Sequence, residues 1–281
     1  MGAVLDGKRV SALVKERAAL EAERLRELGV DPCLAVILVG ANPASQVYVR
    51  NKGLACKAAG IRSEQFDLPE ATTQNELLEL IDKLAAREDI HGILCQLPLP
   101  RHIDEQAVLN AIPPHKDADC FHPVNVGLMT IGTPRVLPCT PAGVITLLKE
   151  YGIELAGKHC VVIGRSNIVG KPMALLLLQE NATVTVCHSR TVDLPSVTRQ
   201  ADVLISAVGR AGFVTADMVK DGAVVVDVGM NRDEDGKLCG DVDYAALAPK
   251  CSFITPVPGG VGPMTIATLL QNTLALARQK K

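Results

Sequence analysis

Short apolar runs rich in β-branched residues alternate with helical stretches along this chain, and that alternation limits the fold more than any single residue does. In the second half the runs are CVVIG (160–164), TVTVC (183–187), DVLISAV (202–208), AVVVDVG (223–229) and SFIT (252–255). In the first half CLAVILV (33–39), the segment around Ser63–Asp67 and GILCQ (92–96) read as strands, with helices near 8–28, 44–60 and 73–87. Such βαβ units give an α/β fold with a mostly parallel sheet, Rossmann-like in the second half. Aromatic residues are only 2% of the chain and Trp is absent, so Val, Ile, Leu and Ala must fill the core. The 281 residues suffice for two domains. The break falls in PCTPAGVITLLKEYGIELAGKH, where Thr140 reads as a cap and Pro141 as a first-turn residue. The helix through Lys149 then bridges the domains, and Gly152 and Gly157 mark its exit. A last helix, 263–278, packs back on the first domain, dividing the chain into 1–140 plus 263–281 and 141–262.

The formal net charge is -2 and the basic residues are dispersed, which gives no footing for nucleic acid or a membrane surface. Nine cysteines never come within a CxxC step of each other, and several lie in apolar runs, such as Cys95 and Cys160. They read as reduced, buried thiols rather than disulfides, and with the six scattered histidines they offer no metal site. The opening MGAVLDGKRVSALVKERAALEAERLREL reads as helical and charged, without the apolar core of a signal peptide. Asp6 removes a myristoylation motif, and no apolar run nears the roughly 20 residues that span a bilayer. The expected location is the cytoplasm.

The strand at 160–163 runs into GRSNIVGKPMALLLL, a glycine-bearing turn that opens an apolar helix. Backbone N–H groups and the helix N-terminus there favour a dinucleotide pyrophosphate, with Gly164, Arg165, Ser166, Val169 and Gly170 around it. Ser166 replaces the middle glycine of GxGxxG and Gly170 comes one residue late, so a purely structural turn fits the motif as well. The next strand ends in His188, Ser189, Arg190 and Thr191, with no acid to hold a ribose hydroxyl. Arg165, Ser189 and Arg190 suit a 2′-phosphate instead, which favours NADP, although Asp193 is discordant. Farther on, AVGRAG (207–212) and DVGMN (227–231) follow later strands, and Met230 is placed at a nicotinamide site.

The stretch ASQVYVRNKGLACKAAGI sets Tyr48 and Lys52 four residues apart on one helix face, with Ser45 beside them. Such a pair can hold a ring against the phenol while the amine moves a proton; an exposed lysine beside a half-buried tyrosine would look the same. QLPLP (96–100) puts Gln96 at a strand end, followed by Leu97, Pro98 and Leu99 in a backbone stiffened by proline. KDADCFHP (116–123) carries Asp117 and Asp119 in a bent loop, either ligands for a nitrogen-rich ring or solvated turn acids. TPVPGGVGPMT is stiff, and its glycines let a ligand approach the backbone.

Together and in order, YVRNK, QLPLP, KDADCFHP, PCTP, GRSNIVGKP, TVTVCHSRT, DVGMN, GDVDY and TPVPGGVGPMT resemble the bifunctional methylenetetrahydrofolate dehydrogenase/methenyltetrahydrofolate cyclohydrolase family. The resemblance runs from about Asp6 onward and implies NADP-dependent oxidation of 5,10-methylenetetrahydrofolate, then hydrolysis to 10-formyltetrahydrofolate, by a homodimer. It implies that Lys52 is the catalytic lysine, Tyr48 the ring-stacking tyrosine, Gln96 the lysine's partner and Asp119 the pterin ligand. Gly164, Arg165, Ser166, Ser189 and Met230 fall on cofactor positions, joined by Val169, Gly170, Arg190 and Thr140. Ser45, Leu97, Pro98, Leu99 and the loop Pro258, Gly259, Gly260 are assigned to the folate. The family motif reads KDVDG, whereas Cys120 stands where glycine is expected; a positive φ there would strain it.

Overall fold

A computed structural model describes residues 2–279. In chain order it contains β1 (Ala3–Val4), α1 (Gly7–Glu27), β2 (Cys33–Val39), α2 (Pro43–Ala58), β3 (Arg62–Leu68), α3 (Gln74–Ala86) and β4 (Gly92–Cys95). The helices α4 (Glu105–Ala111), α5 (Pro123–Thr130) and α6 (Cys139–Glu150) follow. Next come β5 (His159–Ile163), α7 (Gly170–Gln179), β6 (Thr183–Cys187), α8 (Leu194–Thr198), β7 (Val203–Ser206) and β8 (Val224–Asp227). The last elements are β9 (Asn231–Arg232), β10 (Leu238–Cys239), α9 (Tyr244–Leu247), β11 (Phe253–Ile254) and α10 (Val261–Arg278). By contact the chain forms two units: one comprises the residues up to Ser11 with Thr140–Thr265, the other Ala12–Cys139 with the residues from Ile266 on.

The second of these is built on a parallel sheet of order β3-β2-β4. Every residue of CLAVILV in β2 is buried, because successive side chains serve two cores. Cys33, Ala35, Ile37 and Val39 pack with Leu77, Ile81 and Leu84 of α3. Leu34, Val36 and Leu38 pack with Val49 and Cys56 of α2 and Leu269, Leu270 and Leu274 of α10. A capping box starts α3: Thr73 Oγ1 accepts from Glu76 N, and the Glu76 carboxylate accepts from Thr73 N.

The other unit holds a parallel six-stranded sheet of order β1-β11-β8-β7-β5-β6. The chain leaves β5 toward β6 on one side and leaves β7 toward β8 on the other, which opens a crevice at the carboxyl ends of β5 and β7. Two sequence expectations change here. Residues at the N-terminus, read as helical and as part of the first domain, instead add β1 to the edge of this sheet, Ala3 opposite Phe253 and Val4 opposite Ile254. The cause is an unpaired edge on β11: Ala3 N and Leu5 N donate to Ser252 O (2.7 Å) and Ile254 O (2.8 Å). Thr140 does not precede its helix; α6 begins at Cys139, and the Thr140 hydroxyl meets that of Thr265 at 3.0 Å. The strand expected at 252–255 is confined to Phe253–Ile254, and α4, α5, α8, α9 and the β9–β10 hairpin were not read from the sequence. No described helix is long and apolar enough to cross a membrane.

Candidate functional site

Helix α2 is started by Asn42, whose side chain accepts from Ala44 N (3.0 Å) and Ser45 N (3.1 Å), with Pro43 in the first turn. Its buried stripe runs Ser45, Val49, Lys52, Cys56, a spacing of four, three and four that follows one helix face. Lys52 thus enters the interior with a polar head that needs a partner, and Gln96 supplies it: Lys52 Nζ donates to Gln96 Oε1 at 2.9 Å. The amide of Gln96 is itself oriented, because Nε2 donates to Leu97 O at 2.7 Å, leaving the oxygen for the lysine. Gln96 N donates to Ile37 O (2.8 Å), which fixes the residue just past the end of β4. Tyr48 is half-buried one turn before Lys52, and burial lifts its phenol above the usual range. Leu97 and Leu99 are half-buried and Pro98 is exposed, after a cis Leu97–Pro98 bond.

Sheet pairing brings the acidic loop to this place. Residues 116–118 run parallel beside β4: Ile93 N donates to Lys116 O (2.7 Å) and Ala118 N to Ile93 O (3.3 Å), with Ile93 opposite Asp117. The next residues therefore advance with β4 toward Gln96, and Asp119 arrives half-buried at that end. Asp117 is not available to a ligand. It is buried and accepts from Phe121 N (3.2 Å), His122 N (2.8 Å) and Asn125 Nδ2 (2.9 Å), while desolvation raises its pKa. Cys120 has φ 61, the left-handed conformation that the glycine of the family motif would accept. Its buried thiol donates to Val136 O at 3.3 Å.

Two contributors escaped the sequence reading. Cys139 is fully buried; desolvation first, then the Asp119 carboxylate, drive its thiol well above the ordinary value, while Lys52 opposes the shift. Asn272 of α10 donates from Nδ2 to Ala118 O (2.8 Å) and Leu137 O (2.7 Å), tying the acidic loop to the segment before Cys139. The only sequence signal was the amide pair Gln271–Asn272 inside the apolar run TIATLLQNTLALA.

In the six-stranded unit, the turn after β5 is crowded. A Cβ on Gly170 would lie among Gly164 O, Gly164 C and Arg165 N, and one on Gly164, at φ 128, would strike Ala207 O. Ser166 Oγ accepts from Val169 N and Gly170 N, both at 3.2 Å, so a hydroxyl takes over the shaping done elsewhere by glycine. Arg165 and Ser166 are exposed in this turn, Val169 half-buried. After β6, His188 N donates to Thr191 Oγ1 (2.9 Å) and Arg190 N to His188 Nδ1 (3.1 Å), a tight turn that leaves Ser189 and Arg190 exposed. The discordant Asp193 is committed locally: at φ 48 it caps α8, accepting from Ser196 Oγ (2.6 Å), a bond that lowers its pKa. No described acid occupies the stretch between β6 and Thr191, so the residues fit a cofactor with a 2′-phosphate.

Asp227, at the end of β8, accepts from Gly229 N, Asp241 N and Val242 N, each at 2.9 Å. Burial nevertheless pushes its pKa up to about 6. Met230 follows, exposed. In the proline–glycine loop Pro258 is exposed, Gly259 has φ 111, and Lys8 N donates to Gly259 O at 3.2 Å. Gly260 and Gly7 face each other without room for a Cβ on Gly7. Pro258–Gly260 and Thr140 belong to the six-stranded unit, whereas Ser45, Tyr48, Lys52, Gln96 and Asp119 belong to the other.

Both halves of the chain match one family. Residues 5–119 match the family model for the tetrahydrofolate dehydrogenase/cyclohydrolase catalytic domain, and residues 138–281 match that for its NAD(P)-binding domain. A bifunctional protein FolD of Campylobacter concisus is 60% identical over 277 residues, covering 99% of this chain and 98% of that protein. The crystal structure of a bifunctional FolD, methylenetetrahydrofolate dehydrogenase/cyclohydrolase, from Campylobacter jejuni superposes with TM-score 0.97 at 53% identity, over 100% of both chains. A Trypanosoma brucei dehydrogenase-cyclohydrolase complexed with NADP and an inhibitor gives TM-score 0.95 at 42% identity, over 99% of this chain and 98% of that one.

Proposed function

The chain belongs to the tetrahydrofolate dehydrogenase/cyclohydrolase family, and from that membership we infer what its assembled residues do. The enzyme oxidises 5,10-methylenetetrahydrofolate to 5,10-methenyltetrahydrofolate with NADP, then hydrolyses the product to 10-formyltetrahydrofolate. NADP supplies the acceptor for the hydride that leaves the methylene carbon. Gly164, Ser166 and Gly170 hold its pyrophosphate at the start of α7; Arg165, Ser189 and Arg190 bind the 2′-phosphate; Met230, Val169 and Thr140 complete the site.

Hydrolysis is where the protein's own groups act. Water adds to the methenyl carbon and loses a proton toward Lys52; Lys52 then delivers a proton to the ring nitrogen as the carbon–nitrogen bond breaks. One proton is released overall, since a cation and water become a neutral formyl compound. Gln96 keeps the amine aimed, Tyr48 holds the pterin ring against its face, and Asp119 accepts hydrogen bonds from the pterin nitrogens. Ser45, Leu97, Pro98 and Leu99 bound the folate on the lysine's own unit. The observation that carries this reading is the 2.9 Å bond between a buried lysine and a glutamine whose amide is pre-oriented by Leu97 O. We also propose, from the family resemblance, a homodimer, and place it in the cytoplasm, a reducing compartment that suits the nine free cysteines.

The test is spectroscopic, on purified protein with 5,10-methylenetetrahydrofolate. Wild type should reduce NADP well and NAD poorly, with little methenyl build-up. Lys52→Met should abolish cyclohydrolase activity, so methenyl compound accumulates; near-normal hydrolysis by the folded variant would remove Lys52 from the mechanism. Light scattering at micromolar concentration tests the dimer.

A further inference from the structure

Beside the groups already assigned, one buried carboxylate gathers an unusual number of donors. Asp241 is fully buried. Its Oδ2 accepts from Ser206 Oγ (3.1 Å), Val208 N (2.8 Å) and Gly209 N (3.3 Å). Its Oδ1 accepts from Arg210 N (2.9 Å) and Asn231 Nδ2 (2.9 Å). These donors come from the two loops that leave β7 and β8 at their carboxyl ends, the rim on which open α/β sheets receive ligands. Asp241 is in turn held by Asp227, which accepts its backbone N–H at 2.9 Å. Neither Gly229 nor Gly240 has space for a Cβ, because one would meet the Asp241 carboxylate and the other that of Asp227.

We propose that Asp241 is a positioning residue for the cofactor, fixing the 207–210 and 229–231 backbone in the shape that receives the nicotinamide end of NADP. This rests on the reading of those loops as the cofactor rim. Only an acceptor-only group satisfies five donors at once, and aspartate is the smallest ionised one. An asparagine of the same shape would turn an N–H₂ toward either the Arg210 and Asn231 donors or the Ser206, Val208 and Gly209 donors. One loop must then move away from it. Asp241 lies in GDVDY, far in sequence from the glycine-bearing turn, and nothing in that segment's spacing points to dinucleotide binding.

The experiment compares wild type, Asp241→Asn and Asn231→Ala in two assays and one binding measurement: NADP-dependent oxidation, hydrolysis of methenyltetrahydrofolate without NADP, and equilibrium binding of NADPH by fluorescence. Loss of charge-assisted bonds to one loop should raise the KM for NADP and the NADPH Kd of Asp241→Asn about tenfold or more. Hydrolysis, which needs no cofactor, should stay within about twofold. Asn231→Ala removes a single donor from a half-exposed position and should weaken NADPH binding in the same direction, by about threefold. If Asp241→Asn does not fold, Asn231→Ala decides. Unchanged NADPH binding in the folded variants overturns the proposal, as does a parallel fall of both activities with lower thermal stability. A wild-type enzyme that reduces no NADP would overturn the functional reading first, and the proposal with it.

Discussion

Cys120 shows how one residue can carry opposing terms. At φ 61 its Cβ meets the left-handed penalty, about 1–2 kcal/mol for a non-glycine residue. Its side chain is fully buried and donates to Val136 O, contributing about 1 kcal/mol in return. Cys120→Ala keeps the penalty and loses the contact, so urea unfolding should find it about 1 kcal/mol less stable than wild type. Cys120→Gly loses the contact but sheds the penalty, against the greater freedom of an unfolded glycine, and should stay within about 1 kcal/mol of wild type. A Cys120→Gly variant clearly less stable than Cys120→Ala would mean that the conformation is not strained. The sequence exposed the first half of this balance, because a cysteine stands in the glycine position of KDVDG. It could not expose the second half, since Val136 is distant in the chain and the thiol's acceptor is a backbone carbonyl. The same limit hid Asp241: a backbone-binding carboxylate leaves no pairing pattern in the sequence.

At the scale of elements, Lys116 joins two pieces that the sequence kept apart. It opens KDADCFHP, yet its buried Nζ donates to Ala85 O (2.7 Å) and Arg87 O (2.6 Å), closing the C-terminal end of α3. A cation there also opposes the negative end of the helix dipole. Lys116→Met would leave those carbonyls without their donor, and the expected loss is about 2–3 kcal/mol in urea unfolding. A loss near zero would show that water replaces the amine. Strands such as CLAVILV and CVVIG and helices such as α2 were legible because apolar periodicity is local. Elements such as β1 and α9 were not, because their few residues gain order only from a neighbour, as β1 does from β11. Site assembly was partly legible: the four-residue spacing set Tyr48 and Lys52 on one face, whereas the pairing of Lys52 with Gln96 came from the family resemblance and not from spacing, since it arises from the order β3-β2-β4.

Across the whole molecule the cysteines behave as a class. All nine are free, and eight are buried, Cys239 alone being partly exposed. Burial pushes Cys33 and Cys251 up to about 11 and Cys56, Cys95 and Cys160 up to about 12, so little thiolate exists at neutral pH. Brief iodoacetamide treatment of the native enzyme at pH 7.5 should label Cys239 ahead of the rest, and labelling after denaturation should reach all nine, counted by intact mass. Early modification of several sites would indicate that a unit opens readily. The contacts change unit at Thr140 and again at Ile266, and nothing in the sequence signalled that the first strand joins the other sheet.

The late position of α10 bears on synthesis on the ribosome. Once β1, which belongs to the other unit, has been made, the body of the unit around β2 emerges next, yet its apolar surface is completed by Leu269, Leu270 and Leu274, and its acidic loop is held by Asn272. All of these are translated after the whole of Thr140–Thr265. The unit whose body is made first therefore finishes last, and it must wait with an uncovered flank while Thr140–Thr265 is made. A nascent chain stalled anywhere before α10 presents that flank to chaperones, whatever the state of the six-stranded sheet.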